Sequence, residues 1–138
     1  MNYTVLITID GHAIGDVIRL SRRQAKYLIL AGILMPHTNR LLDAVTVTGT
    51  GEWVRSNGKT FQATLTGTGA LTATVEVEFS NDMVGVVKGG INHDGIINLA
   101  GNDLASDGFR DDGTWLYKRA KLTELTGTDA MVTVTTDI

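Results

Sequence analysis

The sequence predicts a mainly β protein, built as an antiparallel sandwich or barrel beside a small N-terminal β-β-α unit. Three observations carry this. The runs Phe61 to Phe79 and Trp115 to Thr136 alternate apolar and polar residues, the period of strands with one buried face. Short β-branched stretches recur between turn residues at sandwich-like spacing, with no helices alternating among them. A lone helix signature stands near the start of the chain.

Tyr3 to Ile9 alternates and is rich in β-branched residues, so a strand is expected there. Asp10-Gly11 supplies a turn, and Val17 to Leu20 a second short strand. Ser21-Arg22-Arg23-Gln24 fits a capping box, in which Ser and Gln satisfy each other's backbone N–H groups. Ala25, Leu28 and Ile29 then recur at helical spacing. Gly32 is a natural C-terminal cap and Pro36 forbids continuation, so the helix should cover Arg22 to Ala31. A short exit strand follows, closing a unit assigned to residues 1–40.

His37 to Asp43 has no clean periodicity and reads as a linker. The β-rich unit is assigned to residues 44–138. Its expected strands are 44–48, 52–55, 59–66, 71–80, 84–88, 96–99, 108–110, 115–125 and 131–135. Ser56-Asn57-Gly58 and Asp112-Gly113 read as hairpin turns. Thr66-Gly67-Thr68 and Thr126-Gly127-Thr128 read as tight turns joining separate strands, and the Gly/Asp-rich middle from Asn81 to Gly113 as long loops.

The 138-residue chain is 43% apolar and 20% charged, the balance of a folded rather than a disordered protein. A formal charge of -3 argues against duplex DNA as partner, and no nucleic acid is expected. Absence of cysteine removes disulfides and thiolate metal sites. The longest apolar stretch, Tyr27 to Met35, is far shorter than the ~20 residues that span a bilayer, so no membrane is expected. Met1-Asn2-Tyr3-Thr4 lacks the basic start of a secretory signal, and none is expected.

The chemistry-bearing residues form no catalytic pattern. His12, His37 and His93 lie in separate segments without metal-ligand spacing and read as exposed turn histidines. Asp103 and Asp107 flank a segment that suits a cation loop only in part, because no closing Glu follows. Asp111 and Asp112 are adjacent, so on a strand they point to opposite faces and cannot flank one glycosidic bond. Trp53, Trp115 and Tyr117 could stack a sugar, but so few aromatics are more economically spent on a core. Neither catalytic residues, nor cofactors, nor a metal are expected. Two basic groups remain: Arg22, Arg23 and Lys26 on the helix, and Lys118, Arg119 and Lys121 on one strand. Both are candidates for docking on an acidic protein surface.

The C-terminal half resembles a family of tailed-bacteriophage virion proteins. The residues carrying the likeness are Phe61, Ala63, Gly67, Gly69, Ala73-Thr74-Val75, Val77 and Ser80-Asn81-Asp82. After a loop they continue with Trp115, Tyr117, Arg119-Ala120, Leu122-Thr123, Leu125-Thr126-Gly127-Thr128, Ala130 and Val132-Thr133-Val134. Met83 departs from the pattern, where a Gly usually follows Ser-Asn-Asp. The segment from Gly15 to Leu34 is similar to small strand–helix modules of phage structural genes. The resemblance implies a capsid decoration (cement) protein with a jelly-roll-like β-sandwich. Its partners would be the major capsid protein and itself, as a homo-dimer or homo-trimer, on the capsid exterior of the virion after assembly in the host cytoplasm. The six basic residues above would be its capsid or protomer contacts. The alternatives are a carbohydrate- or receptor-binding sandwich of a phage tail or fibre, with Trp53 or Trp115 stacking on the sugar, and a ring-forming head–tail joining or tail-tube protein.

Overall fold

The computed structural model describes residues 2–8, 11–30, 32, 34–36 (backbone only) and 39–137. Ile9, Asp10, Ala31 and His37, which enter the sequence reading above, lie outside the described residues. Strand β1 (Asn2–Val5) pairs antiparallel with β2 (Val17–Arg19) and with β3 (Leu34–Pro36), giving the order β2-β1-β3. Helix α1 (Arg22–Leu30) connects β2 and β3. Tyr3, Val5 and Ala25 form a small core, with Ile18, Leu20 and Leu28 packed around it. Strand β1 is shorter than expected. Val5 turns its backbone to Gly15 and Asp16, which fold the intervening turn back on the strand end.

The β-rich unit is one seven-stranded antiparallel sheet: β4 (Arg40–Val45), β5 (Gly49–Thr50), β6 (Val54–Arg55), β7 (Thr60–Ser80), β8 (Val87–Lys88), β9 (Ile96–Arg110) and β10 (Tyr117–Thr136). Three of these strands are far longer than a usual strand, and the sheet folds over on them. Phe61 and Phe79 lie on the same strand, yet their rings meet edge to face at 5.4 Å. An unbent strand would hold those residues about 60 Å apart.

The bends coincide. The β7–β9 register shifts between Thr66 and Ala70, and the β7–β10 register shifts between Thr126 and Met131. Positive φ angles cluster there, at Gly69 (74°), Asp103 (65°), Gly127 (139°) and Asp129 (54°). Gly69 donates its N–H to the Asp103 carboxylate at 2.7 Å, tying the β7 bend to the β9 bend. The Thr-Gly-Thr elements are therefore not turns between separate strands, because the chain continues through them in the same ladder. Likewise the middle segment is not all loop. Strand β9 runs through the Asp103 region that had the look of a cation loop.

Folding makes two layers. One holds β4, residues 130–136 of β10, 60–66 of β7 and 104–110 of β9. The other holds β5 and β6, residues 117–126 of β10, 70–80 of β7 and 96–102 of β9, with β8 extending its edge. With β5 and β6 counted as one broken strand and β8 as an addition to the edge, four strand segments in each layer follow the order of a jelly-roll sandwich. The inner faces enclose Phe61, Leu65, Val75, Val77, Phe79, Leu122, Val132 and Val134. An aromatic row crosses the core, with Phe109 stacked on Phe61 at 5.1 Å and Phe79 beside Trp115 at 5.7 Å. Strand β4 starts at Arg40, inside the expected linker. Ser56-Asn57-Gly58 and Asp112-Gly113 are not hairpin turns, since β6 pairs with β10 rather than β7, and β9 with β7 rather than β10.

Candidate interaction surface

The capping box of α1 forms as expected. Ser21 N–H donates to the Gln24 side-chain oxygen at 3.0 Å, and Gln24 N–H donates to the Ser21 hydroxyl at 3.1 Å. At the other end Gly32 takes φ 73° and donates its N–H to the Ile29 carbonyl, closing the last turn. A start fixed by Ser21 sets which face turns inward. Ala25 alone of the nine helical residues is buried, on Tyr3 and Val5, and Leu28 is half-buried beside it. Ile29 stays partly open. Tyr27 and Leu30 are 74% and 76% exposed, among Arg22, Arg23 and Lys26 on the same short helix. The Lys26 ammonium lies 6.0 Å from the Tyr27 ring centroid. Residues 1–40 carry five Lys or Arg (Arg19, Arg22, Arg23, Lys26, Arg40) against two Asp (Asp10, Asp16).

The second basic group is not one exposed patch. Lys118 shares strand parity with Ala120 and Leu122, so it points into the sandwich and is 2% exposed. Its ammonium donates to the backbone carbonyls of Ser56 and Trp115. Burial pulls its pKa down from 10.5 to about 8, against the nearby carboxylates of Asp137 and Asp111. Arg119 and Lys121 point outward, but β7 places Glu78 opposite Arg119 and Glu76 opposite Lys121. Arg119 Nε donates to Glu78 at 2.7 Å, and its guanidinium covers the Trp53 ring at 4.3 Å. These cations are balanced within the chain by acidic residues of the neighbouring strand.

The other chemistry-bearing residues have structural duties. His93 is not an exposed turn residue: its ring stacks on Phe109 at 4.1 Å and its Nδ1 accepts the Gly95 N–H. Asp111 is buried and accepts N–H groups of Gly113 and Asn92, while Asp112 faces solvent. The Arg110 guanidinium hydrogen-bonds Asp112 and holds its carboxyl below the ordinary carboxylate range. Asp137 accepts from the Thr60 hydroxyl and from the Thr60 and Lys59 N–H groups, clamping the end of β10 to the start of β7. Those bonds lower its pKa. Among the described residues no group of three or more His, Cys, Asp or Glu side chains could hold a metal ion. Nor is any helix there long and apolar enough to cross a membrane.

An open groove of about 420 Å³ runs past Thr60, Gln62, Ser106, Gly108 and Thr135. Neither tryptophan lines it. Trp115 is packed against Phe79 in the core, and Trp53 lies under Arg119. No family model, curated protein or solved structure matches this chain.

Proposed function

We propose that this chain is a non-enzymatic structural protein of a bacteriophage virion. In this reading it binds the outer surface of the capsid, stabilises contacts between major capsid proteins, and docks through its N-terminal unit. The observation that carries the reading is the open face of α1. A nine-residue helix that leaves Tyr27 and Leu30 in solvent among cations fits a second surface that is apolar and acidic. The rigid sandwich behind it, and the resemblance described above, support the same reading. A protein that binds only the assembled shell stabilises that shell by mass action, and many symmetric sites together hold it down.

The double substitution Tyr27→Asp/Leu30→Asp tests the docking face. Each apolar anchor buried at an interface is worth about 1.5–3 kcal/mol. Losing both should weaken binding to purified shells at least ~100-fold, at 1.4 kcal/mol per tenfold. The thermal midpoint should hold, because neither side chain is in a core. Shell binding that survives both this change and deletion of residues 1–40 would refute the docking face. Counting copies of the chain against the major capsid protein in purified virions, by quantitative mass spectrometry, tests the wider reading. A shell component is near-stoichiometric, whereas a tail or receptor-binding component is present in a handful of copies.

A further inference from the structure

The edge of the layer that contains β8 and the first half of β9 has no neighbouring strand among the described residues. Its backbone directions follow from two hydrogen bonds. Val77 donates its N–H to the Gly95 carbonyl and accepts the Gly89 N–H, so its backbone faces the β8–β9 side of β7. Alternation then turns Ile97, Leu99 and Gly101 toward β7, and turns the backbone of Ile96, Asn98 and Ala100 outward to the open edge. The Ile96 N–H is capped by Asp94 at 3.0 Å. Asn98 and Ala100 point theirs away from the sheet.

Sandwich proteins guard such edges with charge, proline or bulges. The other edges here follow that rule: β4 carries the Arg40–Asp43 ion pair at 2.6 Å, residues 104–110 carry Asp107 and Arg110, and β6 ends on Arg55. Residues 95–102, Gly-Ile-Ile-Asn-Leu-Ala-Gly-Asn, hold no charge and no proline. The adjoining rim is also apolar, with Val84 85%, Ile91 70% and Val87 41% exposed.

We infer that two copies of this chain pair edge to edge through β9, joining their outer layers into one continuous antiparallel sheet. A second copy is the occupant because the edge is self-complementary. With Asn98 on the two-fold axis, the outward N–H and C=O of Asn98 meet their own equivalents, and the Ile96 C=O of each copy lies opposite the Ala100 N–H of the other. The β7 register aligns Lys88 with Glu78, and the β9 register extended by two residues aligns Asp94 with it too. Lys88 of each copy therefore comes alongside Asn102 and the Asp103 bend of the other. Lys88 and Asp94 thus bring one charge of each sign to both ends of an uncharged centre. The inference is independent of the shell-binding reading, since the paired edge lies on the sandwich and the docking helix on the N-terminal unit.

The full chain is tested by size exclusion with light scattering. The expected mass is twice 14.8 kDa. Asn98→Lys sets two cations against each other on the axis at an exposed position. It should give a monomer with unchanged circular dichroism and thermal midpoint. Asn98→Cys, in a chain without cysteine, should form a disulfide-linked dimer on mild oxidation, because hydrogen-bonded antiparallel pairs hold their Cα atoms about 5.5 Å apart. A monomeric wild type, a dimer untouched by Asn98→Lys, or a dimer in which Asn98→Cys does not cross-link would each overturn the assignment. So would a dimer lost only on deleting residues 1–40.

Discussion

Phe79→Ala should cost the sandwich about 3–5 kcal/mol, the range for removing a fully buried aromatic ring. Phe79 sits where the two layers touch, edge to face with Phe61 at 5.4 Å and 5.7 Å from Trp115, and its own exposure is 0%. Its loss removes the ring's burial and the aromatic contacts, each worth a further 0.5–1.5 kcal/mol or so. The expected readout is a urea midpoint shifted down at constant slope, and a thermal midpoint lower by roughly 10–15 °C at fixed protein concentration. Phe79→Leu, which keeps most of the volume, should cost much less. If Phe79→Ala shifts stability by less than about 1 kcal/mol, the two layers are not held together by the aromatic row.

Local chemistry was legible in the sequence where a short segment decides its own structure. The Ser21/Gln24 capping box needs only four residues, and it forms between the expected atoms. The alternation of β7 and β10 also places the right residues inside. What local chemistry could not decide was whether Thr66-Gly67-Thr68 and Thr126-Gly127-Thr128 reverse the chain or bend a strand. Glycine and threonine serve either purpose, and the answer lies in the neighbouring ladder. Asp103 shows the same limit, since its positive φ belongs to a bend shared by three strands. Lys118 is a different case. Its charge argues for the surface and its parity with Ala120 and Leu122 for the interior, and parity decides. The exposure of α1 had a signal too. Tyr27, Leu28, Ile29 and Leu30 run around the helix, and one small sheet can bury only one side of it.

Lys118 leads to the second large effect. Its ammonium ties the Ser56 loop to the Trp115 segment by donating to one carbonyl of each, inside a region with almost no solvent. Burial outweighs the attraction of Asp137 and Asp111, so the folded-state pKa falls from 10.5 to about 8. Between those two values the unfolded chain binds more protons than the folded one, so stability rises with pH across the window. Below pH 8 the folded state bears the full cost of a buried cation, on the order of 3 kcal/mol. Lys118→Met keeps the length of the side chain but removes both the charge and the donors. At high pH it should be less stable than wild type by about 1–3 kcal/mol, the cost of leaving buried carbonyls unpaired. As pH falls from 10.5 through 8 that difference should shrink, because only the wild type must then bury a charge. Urea unfolding of both proteins across this range reads the effect directly, with the other lysines and the tyrosines common to both and cancelling in the difference. Parallel stability curves would mean that Lys118 keeps an ordinary pKa and that water reaches its ammonium.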